Sequence, residues 1–264
     1  MFDTVFEVAT NREIARGTYE MVLLGDTQGI RPGQFVNLRL EGFYLRRPIS
    51  VCDYGDDSLT LIYKVVGHGT EYMAGLKKGA KIDALTGLGN GYDTSVSGGR
   101  PLLIGGGAGV PPLYALAKKL LSEGKTPGAI LGFNTKDEVF YEDKFRALGI
   151  DTYVTTVDGS YGIRGFVTDA MDLLPLRGDP TSPLPLPAKA GRAERNSYSY
   201  FYTCGPEPML RAVYRKSVTS GQFSLEERMG CGFGACMGCT CKTKTGHKRI
   251  CKDGPVLTKE ELAW

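Results

Sequence analysis

The chain has 264 residues, 42% of them hydrophobic and 23% charged, with 32 basic and 29 acidic side chains for a net charge of +3. Such a composition excludes a disordered chain and gives no support to a nucleic-acid binder held by bulk charge. The length exceeds that of a usual single domain, so two or three units are expected, and no apolar run approaches the ~18 residues of a membrane span. Two counts stand out: 36 glycines, and seven cysteines of which four lie between Cys231 and Cys241. Met1 to Glu7 carries no basic stretch followed by an apolar one, so no secretory signal is read and a cytoplasmic, reducing setting is expected. In that setting a cysteine cluster holds a metal or does redox chemistry more often than it forms disulfides.

Residues 1–98 read as β. Val5–Ala9 and Tyr19–Leu24 are strand candidates, Gln34–Leu40 alternates apolar and polar with period two, and Leu59–Val66 is rich in β-branched residues. Turn signals separate them at Arg31-Pro32-Gly33, Asp53–Asp57 and Gly87–Gly91. One helix is expected, from Gly69-Thr70 to about Lys78-Gly79. Short, regularly spaced strands predict a small antiparallel barrel.

The pattern changes at the Gly/Pro linker Ser97–Pro101. Strands are expected at Leu102–Ile104, Ala129–Phe133, Thr152–Val157 and Ser199–Thr203. Helices are expected at Pro111–Ser122, Tyr141–Leu148, Gly165–Leu174 and Pro206–Lys216. Alternating strand and helix over 99–221 predicts a doubly wound parallel sheet. Asp179 to Ser197, with four prolines, reads as an exposed loop insertion. The tail, 222–264, is too short for a core of its own and is expected to need a metal. The expected architecture is therefore multidomain: barrel, α/β sheet and small C-terminal cysteine unit.

Within the tail, Cys231, Cys236 and Cys239 form C-x4-C-x2-C, and Cys251 follows after eleven intervening residues. This is the spacing of plant-type [2Fe–2S] sites. Two irons need four thiolates on one compact body, and a loop supplying three of them must curl tightly, which suits Gly232, Gly234 and Gly238. A zinc site is the alternative, although structural zinc usually pairs two C-x2–4-C knuckles. Cys241 reads as a non-ligand, and Cys52 as a small buried apolar residue. The basic stretch Lys242, Lys244, Lys248, Arg249 and Lys252 is open to two readings, a docking surface or a solvated hairpin.

Upstream, Leu103-Ile104 runs into Gly105-Gly106-Gly107-Ala108-Gly109-Val110-Pro111. A strand entering a glycine-rich turn that opens a helix lets backbone amides reach a pyrophosphate. Val110 breaks the G-x-G-x-x-G fingerprint, so a tight turn without a ligand stays possible on the motif alone. The two histidines, His68 and His247, have no paired nucleophile or acid and read as structural or exposed.

Taken together these motifs resemble the ferredoxin–NADP reductase superfamily. Arg47-Pro48-Ile49-Ser50 is similar to its flavin motif; the loop 105–112 and Thr203–Met209 are similar to its nicotinamide motifs. With a C-terminal [2Fe–2S] unit added, the chain resembles the electron-transfer subunits of two-subunit, NAD-linked dihydroorotate dehydrogenases of pyrimidine biosynthesis. Met229–Cys239 and Lys248–Val256 carry that likeness. The resemblance implies three units: 1–98 for FAD, 99–221 for NAD and 222–264 for the cluster. It implies that Arg47, Pro48, Ile49 and Ser50 line the FAD, that Ile62, Tyr63 and Lys64 flank it, and that Gly69 and Thr70 bind its phosphate. Gly105, Gly106, Gly107 and Gly109 would face the NAD pyrophosphate, and Cys204, Gly205 and Pro206 the nicotinamide. Cys231, Cys236, Cys239 and Cys251 would be the iron ligands. No catalytic acid or base is assigned.

The three groups also belong together chemically. A nicotinamide carries two electrons at once, a [2Fe–2S] cluster one, and a flavin can do both. The resemblance implies an FMN-containing catalytic subunit as partner, two of each in a heterotetramer, oxidising dihydroorotate and sending electrons through the cluster and FAD to NAD⁺. The competing assignment is a reductase subunit that serves ferredoxin, polysulfide or an oxygenase. NAD over NADP is likewise an implication, since Asn134 to Glu138 after the second α/β strand carries mixed charge.

Overall fold

The computed structural model describes residues 1–174 and 198–264. The Asp179–Ser197 insertion lies outside the described residues. Strands β1 (Phe2–Ala15), β2 (Thr18–Leu24), β3 (Phe35–Arg39), β4 (Arg47–Tyr54), β5 (Ser58–Lys64) and β6 (Lys81–Leu88) close into an antiparallel barrel in the order β1-β2-β5-β4-β3-β6. Alternation explains the closure. In β6, Ile82, Ala84, Thr86 and Leu88 are buried while the residues between them are not. Ile82 and Ala84 pack in one core with Phe6, Met21, Val36, Leu38, Val51 and Leu61, while Leu88 at the strand's end joins Phe35 in the core shared with the α/β region.

Two of these strands go beyond the expected set. β4 carries the Arg47–Ser50 motif within itself, although proline weakens any strand signal. Pro48 lies opposite Asn37 and offers no N–H; the Asn37 carbonyl instead accepts from Arg46 Nη1 at 3.3 Å. β6 follows helix α1 (His68–Gly75), which stops earlier than expected because Leu76 is already extended.

The second region holds β7 (Pro101–Gly106), α2 (Pro112–Ser122), β8 (Gly128–Phe133), α3 (Glu142–Ala147), β9 (Asp151–Thr156), β10 (Ile163–Arg164), α4 (Val167–Asp172), β11 (Tyr200–Cys204), α5 (Glu207–Lys216) and β12 (Gly221–Ser224). Every residue of β7 and β8 is buried, as in parallel strands covered on both faces. The tail adds a hairpin, β13 (Thr240–Thr243) with β14 (Gly246–Arg249), and a last strand β15 (Val256–Thr258). β15 pairs antiparallel with β12, so the sheet order is β10-β9-β8-β7-β11-β12-β15 and the tail shares a sheet with the α/β region. The α/β expectation holds, with a strand from the tail on its edge.

Specific bonds tie the three regions. Tyr141 donates to Glu20 at 2.8 Å, and Lys64 pairs with Glu138 at 2.9 Å, across the barrel–α/β seam. Between barrel and tail, Asn90 Nδ2 donates to the Val256 carbonyl at 2.7 Å and its Oδ1 accepts from Val256 N–H at 3.1 Å. Among the described residues no helix is long and apolar enough to cross a membrane.

Candidate functional site

All three regions meet at one cavity of about 200 Å³. The barrel contributes Phe35, Pro48 and Ser50; the α/β region contributes Gly106, Ala108, Gly109, Cys204, Gly205 and Pro206; the segment beyond β12 contributes Glu226, Glu227, Met229 and Pro255. Topology explains the convergence. β7 and β11 are adjacent parallel strands, so their C-terminal ends, Gly105–Gly106 and Cys204, lie side by side and open toward the barrel. Burial pushes the Cys204 thiol up to about 12, so it stands in the cavity wall as a neutral group. Glu226, solvent-accessible at the mouth, has its carboxyl raised by partial desolvation and by the charge of Glu227.

A cationic cradle adjoins the cavity on the barrel. The Arg47 guanidinium stacks over the Phe43 ring at 4.7 Å and donates to the Leu45 carbonyl. It lies against the first turn of α1, where a Cβ on Gly69 would run into it. There Thr70 Oγ1 accepts from the N–H groups of Val66 (2.9 Å) and Gly67 (3.2 Å). A guanidinium and a helix start facing the same space suit a diphosphate.

On the α/β side, Gly107–Gly109 forms a single 3-10 turn ahead of α2. Gly109 is required by packing: a Cβ there would strike the Cys204 carbonyl. Gly107 is required by conformation, at φ 50°, and faces open space with no atom within 4 Å of a notional Cβ. The turn thus presses backbone against the nicotinamide-motif strand on one side and leaves room on the other.

The cysteine loop turns its peptide N–H groups onto sulfur. Cys231 Sγ accepts from Ala235 at 3.2 Å and from Cys236 at 3.4 Å. Cys236 Sγ accepts from Cys231 and Gly238, both at 3.5 Å, and Cys239 Sγ accepts from Cys251 at 3.4 Å. Partial burial raises the Cys231 thiol, but the N–H groups of Cys236, Phe233 and Ala235 outweigh it and bring it down to about 6. Cys251 is pushed the other way, up to about 12, by burial and by Cys239. Among the described residues no three His, Cys, Asp or Glu side chains surround a single ion-sized point. Cys239 and Cys251 are buried against the α/β core, Cys231 is half-buried and Cys236 exposed. Donor chemistry, thiols fed by backbone N–H groups, fits an anionic iron–sulfur cluster.

The expected residues do not all share one surface. Pro48, Ser50, Gly106, Gly109 and Cys204–Pro206 line the cavity; Arg47, Gly69 and Thr70 form the cradle. Gly105 is buried behind the turn, and Ile49 packs on the barrel core. Ile62, Tyr63 and Lys64 line a smaller cleft with Gly107 and Glu138. There Tyr63 donates to Asn11 at 2.9 Å and Lys64 is held by Glu138. Cys241 lies in the hairpin opposite Lys248, with its thiol raised by burial. The basic stretch is partly compensated, Lys248 by Glu261 and Arg249 by Asp253. Sequence reading missed Phe35, Glu226, Met229 and Pro255; only Met229 and Pro255, within the quoted tail motifs, carried any signal.

Comparison with known proteins supports the same picture. Residues 226–263 match the family model described as the iron–sulfur cluster binding domain of dihydroorotate dehydrogenase B. The chain is 45% identical over 267 residues to the dihydroorotate dehydrogenase B (NAD⁺) electron transfer subunit of Fusobacterium nucleatum, covering 97% of this chain and 96% of that one. It is 44% identical over 270 residues to the subunit of the same name from Bacillus mycoides, with the same coverage. Among solved structures it is similar to an NADH-dependent reduced ferredoxin-NADP oxidoreductase, with 30% identity, a TM-score of 0.83, and 98% and 90% of the two chains covered. A cytochrome P450 reductase of Amycolatopsis, at 24% identity and a TM-score of 0.65 over 83% of this chain and 67% of that one, shares the fold.

Proposed function

The chain belongs to the family of electron-transfer subunits of NAD⁺-linked dihydroorotate dehydrogenase B, and from that premise we propose how its residues serve the activity. It carries electrons between a catalytic partner subunit and NAD⁺, as an oxidoreductase subunit with FAD, a [2Fe–2S] cluster and a nicotinamide site. When bound, the flavin exchanges electrons in pairs with nicotinamide and singly with a cluster, which makes the set a two-to-one converter.

Arg47, with the first turn of α1 at Gly69 and Thr70, holds the FAD diphosphate. Pro48 and Ser50 line the ring's place in the cavity, and Ile49 braces them from the core. Ile62, Tyr63 and Lys64 flank the flavin from the neighbouring strand β5. Gly105, Gly106, Gly107 and Gly109 bring backbone up to the NAD pyrophosphate, and Cys204, Gly205 and Pro206 wall the nicotinamide end. The neutral Cys204 thiol excludes water there without adding charge. Cys231, Cys236, Cys239 and Cys251 hold the cluster, and the units divide near residues 98 and 221. The exposed edge at Cys236, flanked by Phe233 (43% exposed) and Met237 (54%), faces the partner. That partner carries FMN, in a heterotetramer of two of each subunit, in the cytoplasm.

The convergence of Pro48 and Ser50, of Gly106, Ala108 and Gly109, and of Met229 and Pro255 on one cavity supports this reading. The test is reconstitution. The purified chain should contain FAD, iron and sulfide and reduce dyes with NADH. Orotate should form from dihydroorotate and NAD⁺ only after an FMN-containing catalytic subunit is added. NADH-dependent reduction of ferredoxin, with no orotate from any such mixture, would overturn it.

A further inference from the structure

Asn37 sits in the middle of β3, 1% exposed, opposite Pro48 of the flavin motif. Its Nδ2 leaves the barrel and donates to the backbone carbonyl of Cys231 at 3.2 Å. The contact is close: a Cβ on Gly232 would run into Asn37 Nδ2, and Gly232 holds φ 79°. Asn37 Oδ1 is buried and, among the described residues, has no hydrogen-bond partner. A leucine of similar size would remove the unpartnered Oδ1 from the barrel wall, so the barrel's own packing gives no reason for the amide; what leucine would forfeit is the bond to the Cys231 carbonyl.

We infer that Asn37 is a positioning residue for the cluster loop: it holds the Cys231 carbonyl toward the barrel and thereby makes the cluster easier to reduce. The Cys231–Gly232 peptide is planar and trans, so a carbonyl drawn to Asn37 turns the Gly232 N–H the opposite way, away from the barrel. The positive end of that dipole then lies on the loop's side, where the other N–H groups already meet sulfur. Donors and dipoles directed at the sulfurs raise a cluster's potential. Because Asn37 and Pro48 are cross-strand neighbours, the same residue ties the loop's orientation to the strand proposed to line the flavin.

The inference rests on the proposed cluster ligands, so its test separates the two. The full-length chain and the variants Asn37→Leu and Asn37→Asp are titrated with dithionite and followed by electron paramagnetic resonance and flavin absorbance. Both variants should keep FAD, iron and sulfide. The cluster in Asn37→Leu should be on the order of tenfold harder to reduce, about 59 mV for a one-electron couple, with altered g-values. Asn37→Asp, which replaces the donor with an acceptor, should shift it further in the same direction, while the flavin potential stays put. Unchanged cluster potentials in both variants would overturn the inference. Loss of FAD together with the cluster in both would also overturn it, by making Asn37 a structural part of the barrel. A wild-type chain with no iron or sulfide would instead overturn the ligand assignment beneath it.

Discussion

The wall of the barrel and the loop from Cys231 to Cys239 use their peptide groups differently. In the barrel, N–H and C=O groups pair strand to strand, and the side chains of Met21, Leu59 and Leu61 fill the interior at 0% exposure. In the loop, N–H groups point at sulfur and carbonyls at side chains: Cys231 at Asn37, Gly234 at Arg249 (2.9 Å), Met237 at the Thr240 hydroxyl (2.6 Å). Its apolar side chains, Phe233 and Met237, are exposed. The barrel is therefore stabilised by apolar burial that needs no ligand. The loop has little to bury, and its order depends on what the thiols hold.

Removing a proposed ligand should break the loop and spare the barrel, the largest effect expected. Cys251→Ala should abolish the cluster's absorbance and resonance signals and speed hydrogen exchange across residues 230–252, with β1–β6 still protected. Equal deprotection of the barrel would mean that the two regions fold as one. Cys241→Ala should leave the signals intact. The converse experiment is Leu61→Ala, which removes a side chain with 0% exposure. It should cost about 2–5 kcal/mol in urea unfolding monitored by flavin release, with the cluster's spectrum in the folded protein unchanged.

The glycine turn lies between these extremes, being packed on one side and open on the other. Gly109→Ala should force the turn from the Cys204 carbonyl and destabilise the α/β region by about 1–3 kcal/mol, with weakened NADH binding by titration. Gly107→Ala meets no atom within 4 Å and only strains a left-handed residue. It should cost about 1–2 kcal/mol. If Gly107→Ala proves the more damaging to stability, the turn is not braced against β11 in the way described.

Legibility followed the same division. Period-two alternation exposed β3, β-branched content exposed β5, and α2 showed as a helical stripe of Leu113, Leu116, Ala117 and Leu120 that is buried on one face. β4 was hidden by Pro48, whose missing N–H is covered from outside the ladder by Arg46. β15 was hidden because three residues carry too little pattern to announce a strand that completes another region's sheet. Thiol spacing made the candidate ligands legible, since the chemistry constrains spacing directly. Asn37, Phe35 and Glu226 were not legible: each reaches the site through a tertiary contact, and a lone polar or aromatic residue in a strand or loop gives no local signal.

The smallest expected effect tests the cavity mouth. The Glu226 carboxyl is raised above its ordinary value of 4.5 by partial desolvation and by Glu227. A carboxyl raised in the folded state favours folding while protonated, and that contribution is lost as pH climbs from the ordinary value through the raised one. Wild-type stability should therefore fall relative to Glu226→Gln as pH rises from about 4.5 toward neutrality, then run parallel to it. Because Glu226 is solvent-accessible, screening keeps the difference below about 1 kcal/mol. Thermal unfolding of both proteins from pH 4 to 8, in matched salt, measures it. A pH-independent difference would mean that Glu226 does not feel the cavity. A difference that disappears in Glu227→Gln would assign the shift to the neighbouring charge.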